Sequence, residues 1–267
     1  MRLATTALAV FTALAAGGCR SAPLRGAQAE LARALVPVSD EKQLGAKMVP
    51  EIEAKTRPVT DATVVDYIRG VGGRVAAASP NPDHWTFTFK VLDDPKTVNA
   101  FAIPGGTVYV YSGLIKTAQN EAQLAGVLAH EVAHVTSRHI AQRLVAQFGL
   151  ETVASMALGQ NPSLLAQVAS AIAVQGALLK NSRDDESEAD AKSVVAAARA
   201  GYDPRGLPEF LQLLLKEEGS TSSLLTFLSD HPATQDRIRA LDAEIASRNL
   251  KGDRLDIQGL RAIQQRL

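Results

Sequence analysis

Apolar positions recur at helical spacing along most of the chain and alternate at strand spacing over one short stretch. Ser39 and Asp40 precede the first periodic run and are expected to cap a helix reaching about Lys55. Thr60-Asp61 is expected to cap a second, ending near Ala78. The run Ser79-Pro80-Asn81-Pro82-Asp83 breaks the pattern. Trp85 to Leu92 then alternates bulky and β-branched residues and predicts a strand. Val98 to Ile103 and Thr107 to Tyr111 predict two more, meeting at a Pro104-Gly105-Gly106 turn or bulge.

Glu121 to about Phe148 is helical in period and free of proline, so one long helix is expected there. Leu164 to Leu179 is apolar, but Gln167, Ser170 and Gln175 interrupt it, which favours a buried or lid helix over a membrane span. A polar stretch, Asn181 to Glu188, leads into a helix over Glu186 to Ala200. Gly201-Tyr202-Asp203-Pro204 separates that helix from another ending near Glu218, and Gly219 to Ser223 reads as a flexible loop. A last helix follows Asp230-His231-Pro232 and ends near Ser247; residues 248–267 read as a polar tail. The sum is an α+β, mostly helical domain over residues 38–247, with a small sheet.

Composition agrees with that class, since alanine is abundant and aromatic residues make up only 4%. Basic and acidic residues balance at 28 each, and no cluster of lysine and arginine offers a nucleic-acid surface. No nucleic-acid partner is expected. The first 18 residues stand apart: Arg2, a short apolar run from Leu3 to Ala16, then Gly17-Gly18 before Cys19. That is the layout of an export signal. A lone cysteine after two small residues is similar to a lipoprotein signal, in which Cys19 would carry the lipid and anchor the chain to a membrane. The alternative is cleavage after Ala13-Leu14-Ala15, giving a soluble periplasmic protein. Arg20 after the cysteine favours the outer membrane over retention at the inner one, with residues 19–37 as a tether.

The informative chemistry lies in His130-Glu131-Val132-Ala133-His134. Helical residues four apart lie about 40° apart around the axis, so both imidazoles can reach one zinc ion. Glu131 beside them can act as general base toward the water at the metal. A catalytic zinc needs a third protein ligand. His139 would sit about half a turn away from His130 on a continuous helix, and a structural or surface role is favoured for it. Glu186 and Asp190 share a helical face in Arg183 to Asp190, so Glu186 is a candidate ligand and Asp190 a hydrogen-bond partner for a ligand histidine. An acidic first turn is equally expected from the helix dipole alone.

Three segments together carry a resemblance: His130 to His134, Ser182-Arg183-x-x-Glu186-x-Glu188-Ala189-Asp190, and His231-Pro232 followed by Arg237-Ile238. Over roughly residues 38–245 the chain resembles the HtpX, BepA and LoiP zinc metallopeptidases, gluzincins related to the CAAX prenyl protease. The resemblance implies a zincin-like fold, one zinc per chain and Glu186 as third ligand. It also implies His231 as an inhibitory fourth ligand and Arg237 close to the active site, where it could stabilise an oxyanion. Asn99-Ala100-Phe101-Ala102 is similar to the family's edge strand beside the cleft, although an ordinary core strand fits equally well. No membrane span beyond the export signal and no repeat-domain tail are expected, unlike in some relatives, so the compact LoiP-like lipoprotein type is the expected one. The activity implied is endopeptidase cleavage of misfolded or unassembled envelope proteins. A chaperone-like or self-inhibited zinc lipoprotein that binds outer-membrane clients is the alternative.

Overall fold

The computed structural model describes residues 36–175, 181–217, 227, 230–232 and 234–267. In chain order the elements begin with α1 (Val38–Glu53), α2 (Ala62–Ala77), a 3-10 turn (Pro82–His84) and the strands β1 (Thr88–Leu92), β2 (Ala100–Ala102) and β3 (Thr107–Tyr111). Next come α3 (Ser112–Thr117), α4 (Glu121–Thr136), α5 (His139–Phe148), α6 (Leu150–Ala157) and α7 (Pro162–Gln175). The chain closes with α8 (Arg183–Arg199), α9 (Gly206–Glu217), α10 (Gln235–Ser247) and α11 (Ile257–Gln264). This is the mostly helical fold with a small sheet that the periodicities predict. Cys19, the export signal, the tether up to residue 35, residues 176–180 and the Gly219–Ser223 loop lie outside the described residues.

The sheet has the order β1-β3-β2, with β1 parallel and β2 antiparallel to β3. Gly105 and Gly106 both have positive φ, +86° and +108°, which the tight return from β2 into β3 requires. β2 is thus an outer strand, and α4 packs beside it.

Helix α4 is the centre of the molecule: every residue from Glu121 to Val135 is buried. Its sequence therefore shows no polar stripe, as expected of a helix enclosed on all sides. Close approach is achieved with small residues. A Cβ on Gly126 would lie 2.6 Å from Leu207 N, and one on Gly206 would lie 2.1 Å from Ala122 O, so α4 and α9 meet almost backbone to backbone. At the first turn of α4, the buried Glu121 carboxylate accepts hydrogen bonds from Tyr67 Oη (2.6 Å), Arg74 Nη2 (2.8 Å) and Tyr202 Oη (2.7 Å). These contacts tie α4 to α2 and to the turn before α9, and they satisfy a charge that would otherwise be costly to bury.

Besides α3 and α6, helices that the periodicity did not mark out, four elements differ from the sequence expectation. First, α1 is not capped by Ser39 or Asp40. It starts at Val38 behind Pro37, whose carbonyl accepts from the Asp40 and Glu41 amides. Second, the long helix over 121–148 is two helices. Arg138 adopts the left-handed conformation, φ 63°, because its guanidinium reaches back to Glu41 on α1 and to the Val36 carbonyl. Third, α8 begins at Arg183 instead of Glu186, since Ser182 and Asp185 form a reciprocal capping box. Fourth, the polar tail contains α11, which buries Leu260 and Ile263 and donates from Gln264 Nε2 to the carbonyls of Ile115 and Ala118. Two apolar side chains three apart were too short a signal against that polar background. Asp61, by contrast, caps α2 as expected, accepting from the Thr63 and Val64 amides.

Gly126→Ala is expected to lower stability by about 1–3 kcal/mol through overpacking against Leu207. Gly73→Ala on α2, where an added Cβ meets nothing within 4 Å, serves as the control. Thermal unfolding of the two variants measures this, and equal midpoints would contradict the close α4–α9 contact.

Candidate metal centre

The break at Ser137–Arg138 leaves His130 and His134 on the last turns of α4, where their rings face α8. Their Nε2 atoms lie 3.0 Å apart. Glu186, in the first turn of α8, brings Oε2 to 3.4 Å from His130 Nε2 and Oε1 to 3.4 Å from His134 Nε2. His231 completes the group, with Nδ1 3.2 Å from His130 Nε2 and 3.0 Å from Glu186 Oε1. One ligand atom from each of His130, His134, Glu186 and His231 fits within 4.8 Å of all the others, and all four residues are buried. This arrangement of two imidazoles from one helix and a carboxylate from another can hold a single metal ion.

Around that group stand the residues that orient it. Asp190, one turn after Glu186 on α8, places Oδ1 3.1 Å from His130 Nδ1. Arg237 on α10 donates from Nε and Nη2 to Asp190, both at 2.8 Å. Its Nη1 donates to the Pro232 carbonyl at 2.8 Å and lies 2.8 Å from Glu186 Oε2. The guanidinium, expected from the resemblance close to the active site, thus faces the two α8 carboxylates. A bidentate partner on Asp190 is the geometry that a planar guanidinium favours. Asn99 lies just before β2; its Nδ2 donates to Asp230 Oδ2 at 2.9 Å and its Oδ1 accepts from the Ala100 amide at 2.9 Å. Ala100 is buried, Phe101 stacks on Tyr109 in the core, and Ala102 is half-buried. Asn181 Nδ2 lies 3.2 Å from His231 Nδ1.

The electrostatics favour a cation here. Burial alone would lower the His130 pKa, but the carboxylates of Glu186 and Asp190 outweigh it and raise it to about 10. Burial likewise works against ionising Glu186, yet His231 and His130 hold its carboxyl well below the usual range. Glu131 is different: burial pushes its pKa up, with His231 and His130 opposing. Its Oε1 has no hydrogen-bond partner among the described residues. Burial also pushes the His134 pKa well down.

His139, for which a structural or surface role was expected, lies beside His134 and outside the four-residue metal group. His139 opens α5, is fully buried, and places Nδ1 2.9 Å from His134 Nδ1. Its place half a turn from His130 assumed a continuous helix, which the Arg138 conformation interrupts. A single sequence carries no signal for that interruption, because neither glycine nor proline marks it.

Paired imidazoles on one buried helix, a carboxylate from a second and a glutamate between the pair define the zincin-like class of metallopeptidase. Within that class the chain belongs to peptidase family M48, whose family model matches residues 64–245. It is 30% identical over 218 residues to the beta-barrel assembly-enhancing protease of Yersinia pestis, covering 78% of this chain and 44% of that protein. It is 31% identical over 190 residues to the mitochondrial metalloendopeptidase OMA1 of Schizosaccharomyces pombe, covering 71% and 56%. It is 30% identical over 160 residues to the metalloprotease LoiP of Escherichia coli, covering 58% and 62%. The chain thus spans about half the length of the relatives it matches.

Arg237→Ala would leave the buried Glu186 and Asp190 carboxylates without their guanidinium, and a loss of about 3–5 kcal/mol is expected. Arg237→Lys should recover only part of this, because an ammonium cannot make the bidentate contact. Urea unfolding of the metal-free chain reads both, and wild-type stability in Arg237→Ala would contradict the ion-pair assignment.

Proposed function

We propose that this protein is a zinc-dependent endopeptidase that cleaves misfolded or unassembled polypeptides in the bacterial cell envelope. The observation that carries the proposal is the buried Glu131 carboxylate next to the group formed by His130, His134 and Glu186; its Oε1 has no hydrogen-bond partner among the described residues and lies 3.4 Å from His231 Nε2. A metal held for structure alone has no use for a carboxylate at that point. The two nitrogens and one oxygen match zinc's preferred donors, and His130, His134 and Glu186 would hold it. Bound zinc supplies Lewis acidity for the scissile carbonyl and the attacking water.

The rest is the work of the chain's own residues. Glu131 takes a proton from the attacking water and passes it to the departing amine; its raised pKa suits a group that must hold a proton between two steps. Asp190 Oδ1 lies 3.1 Å from His130 Nδ1 and favours a proton there, which would leave Nε2 as the ligand atom. Arg237 positions Glu186 and Asp190, a role supported by its ion pairs to both, and from that place would stabilise the oxyanion that forms from the scissile carbonyl. Asn99-Ala100-Phe101-Ala102, on the outer strand beside α4, would pair with an extended substrate backbone.

His231 would act as a fourth ligand in a resting, self-inhibited form, a reading supported by its Nδ1 contacts to His130 and Glu186. The envelope assignment rests on the residues before Ser21: Arg2, the apolar run to Ala16, and Cys19 as the lipid-bearing residue of an outer-membrane lipoprotein facing the periplasm. The Yersinia pestis and Escherichia coli relatives, a β-barrel assembly-enhancing protease and a metalloprotease, are in keeping with polypeptide substrates there. No helix among the described residues is long and apolar enough to cross a membrane.

Glu131→Gln is expected to bind one zinc as the wild type does while casein cleavage falls by at least about 100-fold. Zinc analysis and a cleavage assay on the same preparation test this, and retained cleavage in the zinc-loaded variant would reject the role. His231→Ala is expected to cleave unfolded substrates faster than wild type. Unchanged or lower rates at full zinc occupancy would exclude self-inhibition.

A further inference from the structure

The two candidate histidine ligands are backed differently. A ring nitrogen that binds a metal requires the other nitrogen to carry the proton, and that N–H needs an acceptor. For His130 the group beside that nitrogen is the Asp190 carboxylate, with Oδ1 3.1 Å from Nδ1. His134 directs Nε2 at Glu186, so Nδ1 must carry the proton, and the group 2.9 Å from it is the Nδ1 of another imidazole, His139. An imidazole can accept there only if its own proton sits on Nε2. His139 Nε2 indeed faces Glu188 Oε2 at 3.3 Å, and Glu188 Oε1 accepts from Lys192 Nζ at 2.6 Å. Lys192 also donates to Ser137 Oγ at 2.8 Å, on the residue that ends α4.

We propose that His139 is a positioning residue for the metal, fixing the tautomer and ring plane of His134 through a chain that ends at Glu188 and Lys192 on the surface. The proposal rests on His134 being a metal ligand. It also explains why the helix breaks where it does. On a continuous helix, five residues separate the two rings by about 140°, and His139 could not approach His134. The left-handed Arg138, an unfavourable conformation for a side chain of that size, turns α5 back so that the rings meet edge to face, centroids 5.1 Å apart. Arg138 is held in that conformation by Glu41 and the Val36 carbonyl, remote from the metal group. A carboxylate in the place of His139 would bring another negative charge against Glu188 and Asp185; an imidazole passes on orientation without it.

The test compares wild type, His139→Ala and His139→Gln by zinc affinity, from competition with a chromophoric chelator, and by the visible absorption of the Co2+-loaded chain. His139→Ala is expected to weaken zinc binding about 10–100-fold and to shift the Co2+ bands. His139→Gln, whose amide offers an acceptor and a donor in the same order, is expected to keep most of the affinity. Wild-type affinity and spectrum in His139→Ala overturn the proposal, as does a His139→Gln loss equal to that of alanine. Should His139→Ala fail to fold, Glu188→Gln carries the test at a side chain that is 36% exposed. It is expected to lower zinc affinity and move the Co2+ bands, and an unchanged spectrum and affinity overturn the relay. A wild type that binds neither Zn2+ nor Co2+ overturns the metal reading itself and this inference with it. Normal wild-type binding with an indifferent His139 removes only the inference.

Discussion

Carboxylates buried without water must face positive charge, and that requirement organises the molecule around the crossing of α4 and α8. Glu186 and Asp190 project from one face of α8 into a region where His130, His134 and Glu131 are fully enclosed. Arg237 touches both α8 carboxylates, but Glu131 and the inner side of Glu186 are left facing imidazoles. Imidazole is a weak answer to a buried negative charge unless it is protonated or bound to a cation. A cation held by His130, His134 and Glu186 would resolve the imbalance with the ligand atoms already gathered.

Orientation on that scale needs a rigid support. α4 is held at its first turn by the hydrogen bonds converging on Glu121 and along its length by the glycine contacts with α9. Its last turn is held by the Arg138 turn and by Lys192 on Ser137 Oγ. The helix can neither rotate nor slide without breaking a buried polar contact, which fixes where its two imidazoles meet α8. Function and stability therefore share residues here: the groups that lock the helix are the groups that place the ligands.

The sequence was readable where a residue acts through its own neighbours. The Asp61 cap, the glycine return between β2 and β3, and the four-residue spacing of the histidines are local, and each is found as expected. It was unreadable where a distant partner decides the conformation. Arg138 turns left-handed because Glu41, ninety-seven positions earlier, holds its side chain, and nothing within a few residues announces this. His139 was placed on the wrong side for that reason alone. Arg237 was located near the site, but its orientation toward the α8 carboxylates depends on the packing of α10 against α8. The short α11 escaped notice because its burial is contributed by α2 and α4, not by its own pattern.

The most direct test of this account is anomalous diffraction at the zinc absorption edge from crystals of the zinc-equilibrated chain. A single peak within coordination distance of His130 Nε2, His134 Nε2 and a Glu186 oxygen is the predicted result. A zinc peak bound elsewhere, or none at all after equilibration, would contradict it.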